Sequence, residues 1–281
     1  MDAPIVTTEC AICPHHCRLA EGQTGRCRAR SNRGGAIVSD NYGFITSLAL
    51  DPIEKKPLMH FQPGSFILSA GSFGCNMHCP FCQNSQISMI GLAGAGQSPL
   101  MKPEELVAIA LAERRRGNIG LAFTYNEPLV GYEFVLDCAR LAARAGLKNV
   151  LVTNGYICRE ALLVLLPYIH AMNIDVKSFQ KELYAKLGGD RDTVMETVEI
   201  AHKVCHVEVT TLIVPGENDR EEEITDLARW LANLDPEIPY HVSRFFPRWQ
   251  MTDRAPTPLG VVYQLAAAAR QYLRYVYEGN C

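Results

Sequence analysis

The sequence predicts an α/β fold, a partial (β/α)6 TIM-like barrel preceded by a small cysteine-rich extension. Short apolar runs of strand length alternate with segments of helical length from residue 65 onward, which is typical of a parallel sheet. About six such units favour a barrel, and no G-x-G-x-x-G follows a predicted strand, which disfavours a dinucleotide-binding sheet. We therefore assign residues 1–60 to a cysteine-rich metal-binding extension and residues 61–281 to the barrel.

The elements follow in order from local signals. The first predicted helix has Pro103 near its start, Glu104 and Glu105 in its first turn, and Gly117 after its last residue. Residues 1–35 show neither a strand nor a helix period. The predicted strands are 65–70, 119–124, 149–153, 171–176, 207–214 and 240–246, with a short last strand at 275–277. The predicted helices are 103–116, 132–145, 159–166, 181–187, 193–204, 221–234 and 259–273.

Composition excludes several classes of protein. The 281 residues carry a formal net charge of −3, so no strong field favours nucleic acid or an anionic membrane as a partner. The longest apolar run, 161–169, contains Pro167 and is too short to span a bilayer. Residues 1–9 lack the basic and apolar regions of a secretory signal, and we therefore expect a cytoplasmic protein.

The eleven cysteines are the unusual feature of the composition. A reducing compartment and an odd count both disfavour a complete disulfide framework, which leaves metal binding as the leading interpretation. Two clusters stand out. The N-terminal cluster consists of Cys10, Cys13, Cys17 and Cys27, and the second cluster, after the first predicted strand, consists of Cys75, Cys79 and Cys82. Isolated cysteines are more often small buried hydrophobes, which is how we interpret Cys138, Cys158 and Cys205; Cys281 has no assignment.

Each cluster leaves two metals open. The C-x3-C-x2-C spacing at Cys75 places three thiolates on one loop, which suits zinc with His78 as a fourth ligand. It also suits an iron–sulfur cluster in which one iron stays open for a substrate or cofactor, and we favour the cluster over zinc here. The C-x2-C-x3-C-x9-C spacing near the start suits zinc or an auxiliary [4Fe–4S] cluster, and His15 or His16 can replace one ligand there.

Several predicted strands carry polar groups that suit ligand binding. Parallel α/β folds place their chemistry at the carboxyl ends of the strands. The groups are Asn126 and Glu127, Asn154, Asp175 with Lys177, residues 214–219 (VPGEND) and, near the start of the sixth strand, His241. Each also has a structural interpretation, such as a solvated carboxylate, an Asn-Gly turn, a buried ion pair or a core histidine.

The C-x3-C-x-aromatic-C motif after the first strand of such a barrel resembles that of the radical S-adenosylmethionine (SAM) superfamily. In that family three cysteines hold a [4Fe–4S] cluster, and SAM chelates the open iron. A reductant such as flavodoxin or ferredoxin supplies the electron that cleaves SAM to methionine and a 5′-deoxyadenosyl radical, which abstracts a hydrogen atom. The resemblance implies cluster ligands at Cys75, Cys79 and Cys82, an adenine contact at Phe81, contacts to the SAM amino group at Asn126 and Glu127, a ribose contact at Asn154, a carboxylate contact at Lys177 beside Asp175, and an adenine or ribose contact at His241.

A narrower resemblance covers nearly the whole chain. The sequence is similar to the AmmeMemoRadiSam-system radical SAM proteins, relatives of the pyruvate formate-lyase activating enzymes, in blocks 13–17 (CPHHC), 25–27 (GRC), 51–57 (DPIEKKP), 60–65 (HFQPGS), 81–84 (FCQN), 241–247 (HVSRFFP) and 275–280 (YVYEGN). It implies a radical SAM oxidoreductase, either of the glycyl-radical-activating type, with residues 244–249 at the substrate mouth, or acting on a small molecule or peptide. The alternative from another class is a non-catalytic zinc or iron–sulfur scaffold or electron carrier.

Overall fold

A computed structural model of the chain describes residues 6–96 and 98–281. Its N-terminal segment forms two short antiparallel hairpins, in which β1 (Thr7–Glu9) pairs with β2 (Arg18–Ala20) and β3 (Arg30–Arg33) pairs with β4 (Ala36–Ser39). The sequence indicated no strand period here, because strands of three or four residues are too short to show alternation. No helix in the described part of the chain is long and apolar enough to cross a membrane.

An eight-stranded sheet forms the body of the molecule. Its strands lie side by side in chain order, and only the first is antiparallel to its neighbour. They are β5 (Ser47–Pro52), β6 (Phe66–Gly71), β7 (Asn118–Phe123), β8 (Lys148–Thr153), β9 (Ala171–Asp175), β10 (His206–Ile213), β11 (Tyr240–Arg244) and β12 (Val276–Gly279). The predicted α/β class is confirmed, and the sheet is consistent with a partial TIM-like barrel.

Helices connect the parallel strands and pack against the sheet through buried side chains such as Leu106, Leu162 and Leu227. Their bounds are α1 (Ser85–Ser88), α2 (Pro103–Ala112), α3 (Tyr132–Arg144), α4 (Arg159–Leu165), α5 (Lys181–Lys186), α6 (Arg191–His202), α7 (Glu221–Leu234) and α8 (Leu259–Ala269). The first helix predicted from the sequence stops at Ala112, and its last four residues form a 3-10 turn that ends at the left-handed Gly117.

The sheet begins earlier in the chain than the predicted barrel, since β5 precedes residue 61 and pairs with β6. The loop after β5 then enters the barrel, where Ile53 and Leu58 are fully buried against Ile67 and Ala171. Ala171 and Asp175 share one face of β9, because side chains alternate along a strand. The loop therefore fills the barrel interior at the end where the parallel strands start. It closes the barrel at that end.

Candidate functional site

A cavity of about 330 Å³ opens at the carboxyl ends of the parallel strands. Its walls come from the loop after β6, from the ends of β7, β8 and β9, and from β10 and β11. Nine of the ten residues predicted for the cluster and its cofactor line this one cavity, and they are Cys75, Cys79, Phe81, Cys82, Asn126, Glu127, Asn154, Asp175 and Lys177.

The loop that bears the three cysteines is fixed from its first residues. Asn126 accepts a hydrogen bond from the Ser72 amide at 2.9 Å and donates to the carbonyls of Phe73 and Gly74 at 3.2 and 3.1 Å. The amide of Met77 in turn donates to the Sγ atom of Cys75 at 3.4 Å. Asn126 therefore uses its amide group to position the cysteine loop.

The thiols need a positive partner to ionise. Burial raises the pKa of Cys75 well above its usual value and that of Cys79 to about 11, although Lys177 opposes the effect at Cys79. Among residues 6–96 and 98–281, no three or more His, Cys, Asp or Glu side chains are arranged to share a single metal ion. A [4Fe–4S] cluster makes a different demand, because each cysteine binds a separate iron atom. Three thiols on one loop, of which Cys79 is buried and Cys75 and Cys82 are partly buried, line one cavity and fit that demand.

Glu127 is a buried carboxylate with a fixed orientation. It is 4% exposed, and it accepts hydrogen bonds from the amides of Leu129 and Asn154 at 3.0 and 2.8 Å and from the Thr153 hydroxyl at 2.8 Å. Burial raises its pKa to about 7, and these hydrogen bonds oppose the rise. A cation entering the cavity would favour the ionised form.

Asn154 connects the end of β8 to the cysteine loop. Its side-chain nitrogen donates to the Oδ1 atom of Asn76 at 2.9 Å, and its oxygen accepts from the Tyr156 amide at 2.9 Å. The same nitrogen lies 3.7 Å from the Cys75 sulfur. Asn154 thus spends most of its hydrogen-bonding capacity within the protein, although it lines the cavity.

Lys177 brings a positive charge to the end of β9 in this cavity. Its Nζ atom lies 2.6 Å from a carboxylate oxygen of Asp175, and its side chain is 17% exposed. Burial opposes the lysine charge, but Asp175 outweighs that effect, so the pKa of Lys177 is raised. The cavity therefore presents the carboxylate of Glu127, the paired ammonium and carboxylate groups of Lys177 and Asp175, and three thiols.

His241 does not line this cavity. Its Nε2 atom lies 2.7 Å from Glu208, a fully buried carboxylate that also accepts from the amides of Met59 and His60 at 3.0 and 2.7 Å. His241 precedes by two residues Ser243, which does line the cavity. Its contacts hold the loop that closes the barrel.

The four N-terminal cysteines meet in a different place. They line a small cavity of about 10 Å³ together with His15, Arg30 and apolar side chains. His16 does not line it and lies beside Glu9 and Cys158. His78, the alternative zinc ligand, is exposed and packs edge-on against Trp249 at 5.1 Å.

Sequence reasoning missed a group of residues at the side of the main cavity. Lys56 is 3% exposed, lines the cavity and lies 2.8 Å from Asp51, which also accepts from the Tyr125 hydroxyl at 2.6 Å. Tyr125 has a φ of 72°, a conformation that a bulky residue seldom adopts. A pair of lysines in a loop gave no indication of this burial, since Lys is mostly exposed.

The chain matches known proteins along most of its length. The family model described as the Radical SAM superfamily matches residues 71–228. An uncharacterized protein of Methanocaldococcus jannaschii is 41% identical over 277 residues, which cover 96% of this chain and 80% of that protein. The pyruvate formate-lyase 1-activating enzyme of Escherichia coli is 26% identical over 178 residues, which cover 60% of this chain and 71% of that enzyme.

The solved structure of Streptococcus suis SuiB bound to S-adenosylmethionine is similar with a TM-score of 0.56 at 14% identity, covering 74% of this chain and 48% of SuiB. That likeness supports the fold alone. The family match, which covers more than half of the chain, shows that the chain belongs to the radical SAM superfamily. Membership implies a [4Fe–4S] cluster and SAM as cofactors, and it makes the protein a radical SAM enzyme.

Proposed function

We propose that this protein reductively cleaves SAM at a [4Fe–4S] cluster held by Cys75, Cys79 and Cys82, for hydrogen abstraction from a substrate. The observation that carries the proposal is one cavity lined by these cysteines, by the buried carboxylate of Glu127 and by the ammonium group of Lys177. The methionine part of SAM presents an ammonium and a carboxylate group. Glu127 would form charge-assisted hydrogen bonds with the ammonium group, and Lys177 with the carboxylate group.

A [4Fe–4S] cluster held by these cysteines would supply the single electron that cleavage of the SAM carbon–sulfur bond requires, and the products after hydrogen abstraction from a substrate would be methionine and 5′-deoxyadenosine. The electron comes from a reductant such as flavodoxin or ferredoxin. The protein's own residues bind and orient SAM. Asn126 and Asn154 hold the cysteine loop against two strand ends, while Glu127 and Lys177 fix the methionine part. Phe81 is buried against the cavity and supplies an apolar surface for the adenine ring.

The test is anaerobic purification, reconstitution with iron and sulfide, and measurement of 5′-deoxyadenosine after addition of SAM and a strong reductant. Wild type is expected to form it, and Cys79→Ala is expected to abolish it because a cluster ligand is lost. Cys205→Ala is the matched control, since this thiol lies outside both cysteine clusters and packs against the core. A protein that binds zinc and forms no product would instead be a metal scaffold.

Within this reaction we favour a glycyl-radical-activating role. Relatives named as activating enzymes include the pyruvate formate-lyase 1-activating enzyme of Escherichia coli and the isethionate sulfite-lyase activating enzyme of Oleidesulfovibrio alaskensis, which is 28% identical over 133 residues and 45% of this chain. The chain spans 43% of that enzyme's length. A small-molecule substrate is the alternative, because the GTP 3′,8-cyclase of Moorella thermoacetica is 27% identical over 58% of this chain.

Dialysis divides a cell extract into retained macromolecules and a small-molecule dialysate, and adding each fraction separately distinguishes the two substrate classes. An activating enzyme should form 5′-deoxyadenosine faster with the retained macromolecules, and a new glycyl radical should appear by electron paramagnetic resonance. Faster formation of 5′-deoxyadenosine with the small-molecule dialysate alone would contradict the activating role, although SAM cleavage itself would still be supported.

A further inference from the structure

The N-terminal cysteines surround a cavity of their own. Cys10, Cys13, Cys17 and Cys27 line it together with His15. Apolar side chains of Ile12, Leu19 and Val130 complete the wall and exclude water.

Arg30 is a second, independent feature of this cavity. It is 4% exposed, and its terminal nitrogens donate to both oxygens of Glu133 at 2.6 and 2.7 Å. Its Nε atom is buried and has no hydrogen-bond partner, although Arg30 lines the cavity. A buried donor without a partner is costly, and an anionic metal–thiolate centre would accept from it.

We propose that Cys10, Cys13, Cys17 and Cys27 hold a second iron–sulfur cluster, which braces the loop that carries Cys75. A cluster rather than zinc is favoured because, in the described residues, these thiols are not arranged to share one ion. Zinc requires four ligands converging on one point, whereas a cluster takes one cysteine on each of four irons.

The proposed bracing rests on direct contacts between the N-terminal cysteine segment and the loop that carries Cys75. The carbonyl of Cys27 accepts a hydrogen bond from the amide of Cys75 at 3.2 Å, and His15 lies 2.7 Å from the Asn76 carbonyl. Gly74 has a φ of 90°, and an added Cβ there would lie 2.6 Å from the Cys27 carbonyl oxygen. The ligand segment of one site is therefore packed against the ligand loop of the other.

Metal analysis tests the second cluster without any activity measurement. In the triple variant Cys75→Ala, Cys79→Ala and Cys82→Ala, anaerobic reconstitution is expected to leave about four iron and four sulfide per chain, about half of the wild-type content. Adding Cys27→Ala should remove most of this iron, whereas adding Cys138→Ala, a buried thiol outside both clusters, should not. A triple variant that holds one zinc and no iron, or no metal, would overturn the proposal.

Hydrogen exchange tests the brace. Cys27→Ala alone should speed amide exchange in residues 72–78 at least about tenfold, because loss of the cluster would release the segment whose backbone carbonyl at residue 27 accepts from the Cys75 amide. Residues 221–234, which are remote in sequence, should be unaffected. Unchanged exchange in 72–78, or equal acceleration in both segments, would contradict a local brace. This result is independent of SAM cleavage, which can succeed or fail separately.

Discussion

At the scale of single residues, Glu127 combines burial with three protein donors. Burial raises its pKa to about 7, while the amides of Leu129 and Asn154 and the Thr153 hydroxyl direct its oxygens. A sequence cannot distinguish this carboxylate from a solvated one at the end of a strand. The distinction depends on residues from two neighbouring strand ends meeting at one point.

Glu127→Gln is expected to weaken SAM binding to the reconstituted protein by about tenfold or more, because a neutral amide replaces the partner of the ammonium group. Glu222→Gln is the control, since Glu222 is exposed on α7. Equilibrium binding of SAM measures both. Equal affinity of the two variants for SAM would contradict the proposed contact between Glu127 and the SAM ammonium group.

At the scale of elements, the cysteine loop and the loop that closes the barrel each depend on a close contact. The cysteine loop passes the Cys27 carbonyl at Gly74, where a side chain has no room. The closing loop is held by Glu208, whose carboxylate accepts from two backbone amides and contacts His206 and His241 at 2.9 and 2.7 Å.

Gly74→Ala should destabilise the protein more than Gly64→Ala. Both glycines have a positive φ, which costs an alanine about 1–2 kcal/mol. Only at Gly74 would the new Cβ also clash with Cys27 and Ala29, at 2.6 and 2.8 Å; nothing lies within 4 Å at Gly64. Urea unfolding measures the difference, and equal losses would mean that the two segments separate easily.

Glu208 should stabilise the fold in a pH-dependent way. Burial alone would raise its pKa, but hydrogen bonds from His206, His241 and the amides of His60 and Met59 lower it from 4.5 to about 2. The hydroxyl of Tyr277 also lies near it. Because the folded pKa is below the unfolded one, this stability is present above pH 4.5 and lost as pH falls toward 2.

Glu208→Gln should therefore lower the free energy of unfolding by on the order of 3 kcal/mol at pH 6. The difference from wild type should shrink by about 1.4 kcal/mol at pH 3.5. Urea titrations at the two pH values measure it. A difference that stays constant would show that the carboxylate charge does not secure the closing loop.

At the scale of the whole molecule, the N-terminal segment depends on the barrel for its position. Its hairpins are short, and its buried residues Cys27 and Ala29 pack with Phe73 and Val130 of the barrel. Arg30 of the N-terminal segment also forms an ion pair with Glu133 on α3 of the barrel. A segment with so little core of its own needs these contacts and, as we propose, a metal centre.

Glu133→Gln should cost about 2 kcal/mol of stability and speed proteolysis within residues 6–44. It leaves the Arg30 guanidinium buried without its charged partner, although the 42% exposure of Glu133 moderates the loss. Glu113→Gln breaks a pair with Arg116, whose side chain is 64% exposed, and should cost less than about 0.5 kcal/mol because the arginine that is left stays solvated. Similar effects of both changes would contradict the docking role of Arg30.

The barrel strands were predictable to within a residue or two, because buried strands such as β7 carry their own apolar pattern and are bounded by turn signals. β5 was missed because its burial is only partial and its single partner, β6, comes after it in the chain. The same limit applies to the site. Phe81 and Lys177 line the cavity as expected, whereas His241 pairs with Glu208, a residue that no local pattern connects to it.

The sequence by itself determined the fold class and identified the loop of Cys75, Cys79 and Cys82 as a candidate metal-binding loop, because strand periods and C-x3-C-x2-C spacing are local properties of the chain. Only the tertiary structure decided which polar groups share a cavity, that Asn126 and Asn154 hold the loop, and that Cys27 lies against Cys75. These outcomes depend on contacts between segments distant in sequence, and burial then sets the charge and hydrogen bonding of each group.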